Sequence, residues 1–347
     1  MAQLVDWDLA RTTARTLGKG GPEITLTEAA DVVADLRRLT DEAAGHVLEF
    51  AKMPPKVGHH AVRVVDRADW ASTNIDGLRQ VIAPLAERLT KGREPSGLTG
   101  MVGPRIAGLQ AGTVLAYLSG RVLGQFEVFS SDPGELLLVA PNIVEVERKL
   151  DAVPRDFRLW VCLHEVTHRV QFTGVPWMRE HFLSQVQDFA NASDAGGEQF
   201  ADRLKAGLAA LADSIRNPDS RASIIDIVQT PAQKEIIQRL TSLMTLVEGH
   251  AEFVMDGVGP EVIPTVAEIR TRFNARRTGH NPIERVIRRL LGIEVKMRQY
   301  AEGHKFVDGV VDRVGIDGFN RIWTSPETLP LTSEITDPDA WVKRVHG

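Results

Sequence analysis

The chain contains one cysteine, Cys162, in 347 residues, so no internal disulfide can form and stability must come from a packed core. It has two tyrosines, Tyr117 and Tyr300, which leaves few sources for a phenolic hydrogen-bond donor. No apolar run approaches the roughly 20 residues needed to span a bilayer. The opening MAQLVDWDLARTT lacks a basic segment followed by an apolar one. These absences predict a cytoplasmic protein without a membrane anchor. Positive charge is not in excess either: 41 Lys and Arg against 46 Asp and Glu give a net charge of -5, which argues against nucleic acid as a partner. Repeats and low-complexity tracts are missing. With 43% hydrophobic and 25% charged residues, the composition is that of a globular chain long enough to bury a large core.

What is present is His164-Glu165-Val166-Thr167-His168. On an α-helix, residues four apart share a face and lie about 6 Å apart along the axis. Two imidazoles at that spacing can converge on one ion, and the glutamate after the first histidine flanks the metal as a base. The surrounding DFRLWVCLHEVTHRVQF holds no Pro or Gly. Its Leu159, Trp160, Leu163, Val166 and Val170 recur near helical spacing, which predicts a largely buried helix. A buried helix carrying His, Glu and His needs a compensating charge, and a metal supplies one. Cys162 falls on the wrong helical face for a ligand and is expected to pack in the core.

Helical patterning dominates elsewhere. Thr25-x-x-Glu28 reads as a capping box opening a helix to about residue 52, ended by Pro54-Pro55. Residues 70–89 form a second helix with Pro84 as a potential kink, and the Gly-rich stretch 91–103 reads as a loop or boundary. Residues 113–129 and 136–146, rich in Val, Leu and aromatics, predict a small β element with a turn at 131–134. Further helices are expected over 182–189, 198–215, 231–258, 262–277 and 282–303, with a short one after Asp337-Pro338. The predicted fold class is α+β and predominantly helical. It divides into an N-terminal helical region (1–95) and a catalytic region with a C-terminal tail (96–347), packed as one unit.

A catalytic zinc site needs a third protein ligand. The extended pattern H-E-x-x-H-x-x-G-x-x-H is absent, which leaves a glutamate from a later helix. Glu248, Glu252 and Asp256 form an acidic stripe in the apolar LMTLVEGHAEFVMD. Buried carboxylates are costly unless paired, so Glu248 is the first choice as ligand. Glu252 or Asp256 would then hold a histidine's second nitrogen. Gly249 would permit close approach to the motif helix. Glu198 and Glu252 remain alternative ligands. Glu198 in a first helical turn is also explained by the macrodipole. His59-His60 and His181 are expected to be structural. The arginines across 269–298 read as a solvated face with ion pairs, or as a basic patch for an acidic partner.

His164-Glu165-x-x-His168 with a later helical glutamate resembles the gluzincin class of zinc metallopeptidases. Glu248-Gly249-His250-Ala251 is similar to the segment carrying the third ligand in its aminopeptidase branch. The combination LHEVTHRVQF, LMTLVEGHAEFVMD, KMRQYAEG and VGIDGFNRIWTSPETLP resembles an uncharacterised zincin-like metallopeptidase family. Its members are described as hydrolases, some associated with biosynthesis of a deazaflavin coenzyme. The resemblance implies a mainly helical zincin-like architecture with a small β element before the motif helix, but no amine-recognition motif supports aminopeptidase specificity.

The expected function is a zinc-dependent hydrolase, most simply a metallopeptidase acting on a peptide or amide substrate. Zn2+ would be held by His164, His168 and Glu248. Glu165 would act as general base, and Tyr300, with His304 one turn on, as a donor to the developing oxyanion. The alternative is a non-catalytic scaffold or binding protein keeping the zincin fold with a structural or silent metal site.

Overall fold

Among the residues the structure describes, a three-stranded sheet separates two apolar cores in an α+β arrangement. A computed structural model describes residues 4–53, 62–90, 97–192, 209, 231–277 and 293–347. Helix α1 (Trp7–Leu17) starts at Asp6, whose side chain accepts from the Leu9 amide at 2.9 Å. Helix α2 (Leu26–Ala51) carries the expected capping box, with Thr25 and Glu28 each satisfying the other's backbone N–H. Strand β1 (Arg63–Val65) leads into α3 (Arg67–Thr90) and α4 (Gly97–Ser119). A hairpin follows, β2 (Gly124–Glu127) and β3 (Glu135–Val139), then α5 (Ala140–Lys149) and the motif helix α6 (Pro154–Gly174). Helices α7 (Met178–Asn191), α8 (Pro231–Val262), α9 (Val266–Arg277), α10 (Ile293–Phe319) and α11 (Pro338–His346) complete it, with two short 3-10 turns between the last two.

The strand order is β1-β3-β2, parallel between β1 and β3 and antiparallel in the hairpin. Alternation along the strands sends their side chains into two cores. Leu136 and Leu138 join the larger core with α2, α6, α8 and α10, whereas Leu137 and Val139 join the smaller core with α1, α3 and α4. In β2, Gly124 and Phe126 point toward α6, where they meet Glu165 and Phe172. Gln125 and Glu127 point toward α3: Gln125 exchanges two 3.1 Å hydrogen bonds with Asn74, and Glu127 lies against Gly77.

Two expectations fail locally. The stretch 91–103 was expected to be a loop and 113–129 a strand, but 97–119 is one helix. Its glycines serve packing: a Cβ at Gly108 would sit 2.3 Å from the Asp6 carbonyl, and one at Gly112 2.4 Å from that of Ala10. They let α4 lie directly on α1, a use that local turn signals cannot reveal. The second strand ends at Val139 rather than near 146, because Pro141 sits in the first turn of α5 and sets its φ for a helix. The helix expected over 198–215, with Glu198, lies outside the described residues, as do His59 and His60.

Helix α6 is the centre of the larger core. Leu159, Leu163 and Val166 are fully buried, with Trp160 and Val170 nearly so. Cys162 is buried against Thr40, its thiol pushed up to about 12 by burial, consistent with core packing. Arg158 grips both Glu147 carboxylate oxygens (2.8 and 3.0 Å) and Asp35 (3.1 Å), and Asp156 accepts from the Thr265 hydroxyl at 2.7 Å. The helix that carries the motif is thereby tied to α5, α2 and the start of α9. Among the described residues, no helix is long and apolar enough to cross a membrane.

Candidate metal centre

On α6, His164 and His168 turn the same edge of their rings toward each other, with Nε2 atoms 3.1 Å apart. Helix α8 crosses beside them and presents Glu248, whose Oε2 lies 3.6 Å from His164 Nε2 and 3.5 Å from His168 Nε2. Three ligands bound at about 2.0–2.1 Å with tetrahedral angles lie about 3.3–3.4 Å apart. The observed edges, 3.1, 3.5 and 3.6 Å, bracket that spacing. Two imidazole nitrogens and one carboxylate oxygen are a donor set that suits zinc. Among the described residues, these three form the one cluster able to hold a metal. Glu252, the alternative ligand, does not join it.

The tautomer of His168 follows from its surroundings. Gln171, one turn further on α6, donates through Nε2 to the Val247 carbonyl at 2.9 Å, an acceptor only. Its Oε1 must therefore face His168 Nδ1, 3.0 Å away, and accept a hydrogen bond from its N–H. In neutral His168 the lone pair is left on Nε2, facing Glu248 and His164. Gln171 Nε2 also reaches His250 Nδ1 at 3.0 Å. Burial lowers His250 to about 3, helped by the charge on His168, so it is a neutral acceptor, clamped between Phe319 and Trp323. For His168 this places Gln171 where Glu252 or Asp256 was expected. Asp256 instead pairs with Arg270 and with His304, 3.2 Å away, while Met255 Sδ sits 3.3 Å from His164 Nδ1. The reason is rotational: α8 turns Asp256 toward α9 and α10, not toward α6.

Gly249 also serves a different contact from the one expected. A Cβ there would lie 2.1 Å from the Gly303 carbonyl carbon, and one at Gly303 would lie 2.1 Å from the Thr245 carbonyl oxygen. The close approach is between α8 and α10, not between α8 and the motif helix.

Glu165 is 7% exposed and packs on the backbone of β2. A Cβ at Gly124 would lie 2.6 Å from Glu165 Cγ and 2.9 Å from its Oε1, so only glycine leaves room for this carboxylate. Burial pushes Glu165 up to about 7; the His168 charge pulls against that and Glu248 adds to it. Burial disfavours a charged His168, but Glu248, Glu165 and the Gln171 hydrogen bond outweigh it and raise it to about 9. A divalent cation at the centre would displace that proton.

These groups face a cleft of about 470 Å³, bounded by the outer edge of β2, by α6 and by Met244 and Val247 of α8. Tyr300 lies on α10, but its side chain is outside the described residues. Tyr117 sits on α4 with the Arg121 guanidinium 3.5 Å above its ring and does not line the cleft. His304 is held by Asp256 and Asp308, and His181 stacks edge-on with Trp177 away from the centre. Of the arginines in 269–298, Arg270 pairs with Asp256 and Arg272 with Glu268, as an ion-paired face requires. The side chains of the others lie outside the described residues. Gln171 and Gly124 were missed from the sequence. Gln171 had one signal, a polar side chain three residues after His168 on the same helical face.

Among solved structures, the chain is similar to the crystal structure of a putative hydrolase with a novel fold from Chloroflexus aurantiacus, at 27% identity over 99% of each chain with a TM-score of 0.71. No functionally curated protein matches it. From residue 5 to residue 342 the sequence fits the model of the zincin-like metallopeptidases, and the chain belongs to that family.

Proposed function

We propose that this protein is a zinc-dependent hydrolase that cleaves amide bonds in peptide substrates. The observation that carries the reading is the convergence of His164, His168 and Glu248 at 3.1–3.6 Å with the Glu165 carboxylate beside them in one cleft. His164, His168 and Glu248 would hold the ion. When bound, zinc supplies Lewis-acid polarisation of a carbonyl and lowers the pKa of an attacking water. Glu165 would serve as the base, accepting a proton from an attacking water and returning it to the leaving nitrogen. Gln171 keeps His168 in the tautomer that points its lone pair at the centre. An extended substrate segment would lie along the outer edge of β2, which no strand among the described residues pairs, and hydrogen-bond to it as an added strand.

Metal analysis tests the ligand set. Wild type should take up stoichiometric zinc, and peptide hydrolysis should stop with chelator and return with zinc. Glu248→Ala should lose more affinity than the roughly 10–100-fold typical of removing an outer partner of a ligand. Stoichiometric zinc in Glu248→Ala would move the third ligand to Glu198 or Glu252. Stoichiometric zinc in wild type without cleavage of any peptide would favour the scaffold reading instead.

The Gly124 contact makes a separate prediction. Gly124→Ala must push the Glu165 carboxylate from its seat, and a displacement near 1 Å can cost about 10²-fold in rate. Zinc content should be unchanged, since the three atoms nearest a Cβ at Gly124 all belong to Glu165. Unchanged turnover in Gly124→Ala would mean that the seat of Glu165 is not the working one.

A further inference from the structure

Four phenylalanines from separate parts of the chain meet at one end of the cleft. Phe172 follows His168 by one helical turn, about 6 Å along the axis. Phe126 of β2 stacks on Phe172 with centroids 5.9 Å apart, and Phe182 of α7 meets Phe172 edge-on at 5.9 Å. Phe129, just after β2, tilts against Phe182 at 5.7 Å. Phe126 and Phe172 are buried, but Phe129 and Phe182 are half-buried, and both line the cleft. A cluster that served only the core would have no reason to leave two rings facing the cavity that holds the candidate centre.

The pocket is preformed. Arg179, one turn before Phe182, donates to the Val128 carbonyl at 2.9 Å and to that of Ser131 at 2.8 Å. These bonds fasten α7 to the chain after β2, so Phe129 and Phe182 are held at a set separation. Among the described residues, the cleft offers no charged partner for a side chain at this end. Among the described lining residues, the ionisable groups are His164, Glu165, His168 and Glu248 of the centre itself. The Gln125 amide is turned through the sheet to Asn74. An anion placed among the four rings would lose its hydration without compensation, and an ammonium would regain only part of it through the ring faces, whereas a bulky apolar group would find aromatic surface on several sides.

We propose that the cleft selects an extended polypeptide with a bulky apolar side chain, aromatic or long aliphatic, one or two residues from the bond that is cut. Side chains in an extended segment step about 3.3 Å per residue, so two steps, about 6.6 Å, match the roughly 6 Å along α6 from His168 to Phe172 and would carry a side chain from the centre into the ring cluster. The proposal rests on the hydrolytic reading of the centre. It adds the substrate class, which no motif in the chain assigns.

The test uses N-acetylated, C-amidated, fluorescein-labelled peptides with fixed flanks and one varied position: Phe, Leu, Ala, Asp or Lys. Zinc-loaded wild type is assayed for cleavage, with the cut mapped by mass spectrometry. Zinc-loaded Glu165→Gln is assayed for binding by fluorescence anisotropy. The expected result is that Phe and Leu peptides are cut and bound at least about 10-fold better than Ala, Asp or Lys peptides, in the range that hydrophobic-pocket discrimination reaches. In Phe182→Ala the preference for Phe over Ala should collapse with zinc content unchanged, and in Phe182→Leu it should survive in part. Cleavage of all five at similar rates would overturn this proposal and leave the hydrolytic reading intact. No cleavage, but tight and selective binding of the Phe peptide, would uphold the pocket and overturn the hydrolytic reading. Neither cleavage nor selective binding would overturn both.

Discussion

Glu165→Gln is expected to lower peptide hydrolysis by about 10²–10⁴-fold, the range for losing a positioned general base, while zinc stays bound. Glutamine keeps the shape of the side chain, so it should still fit against Gly124. It cannot accept the proton of the attacking water. The same variant carries a stability prediction for the metal-free protein. Burial raises Glu165 from its ordinary value of 4.5 to about 7 in the folded state. A raised carboxyl contributes stability that is full below the unfolded value and is lost as pH rises through the folded one. Metal-free wild type should therefore weaken between about pH 4.5 and 7 through this group. Metal-free Glu165→Gln should melt higher than wild type at pH 8, with no such advantage near pH 4. Thermal melts at the two pH values check this, and turnover assays check the first part. Near-wild-type hydrolysis by Glu165→Gln would remove Glu165 from the mechanism.

The second large effect is expected from Gly249→Ala. The added methyl would lie 2.1 Å from the Gly303 carbonyl carbon and 2.5 Å from the His304 amide nitrogen. Both are backbone atoms of α10 and cannot swing aside, so the helices must separate. Overpacking of this kind costs about 1–3 kcal/mol and occasionally more, and a backbone obstacle belongs at the upper end. Because Glu248 is the adjacent residue, separating α8 from α10 should also disturb the third proposed ligand and weaken zinc binding. Gly45→Ala in α2 is the matched control. Gly45 is exposed within a helix and nothing lies within 4 Å of a Cβ built there. That substitution should stabilise by about 0.5–1 kcal/mol through helix propensity alone. Denaturant titration of the two variants reads both signs. Unchanged stability in Gly249→Ala would show that the helices do not cross as closely as described.

The motif helix was legible because its information is local. His164 and His168 sit four apart, apolar residues recur at helical spacing, and no helix breaker intervenes. The capping box at Thr25 and the helix opening at Pro338 are equally local, and both hold. Helix α4 was misread for the opposite reason. The Gly-rich stretch 91–103 looks like a loop along the chain, and only the proximity of α1 shows that Gly108 and Gly112 of the same helix are contact surfaces. The same holds for Gly249, whose neighbour Gly303 is 54 positions away in sequence.

By itself, the sequence determined a helix with two imidazoles on one face and a carboxylate between them, and a later apolar helix in which an acidic side chain needed a partner. Tertiary structure decided that Glu248 rather than Glu252 meets the histidines, that Gln171 rather than Asp256 orients His168, that Gly124 makes room for Glu165, and that four separate phenylalanines close one end of the cleft. The physical reason is the reach of the interactions. Helix periodicity and caps act over three or four residues and are written in consecutive positions. The rotation of one helix against another is set by packing across the whole core, and no short stretch of the chain records it.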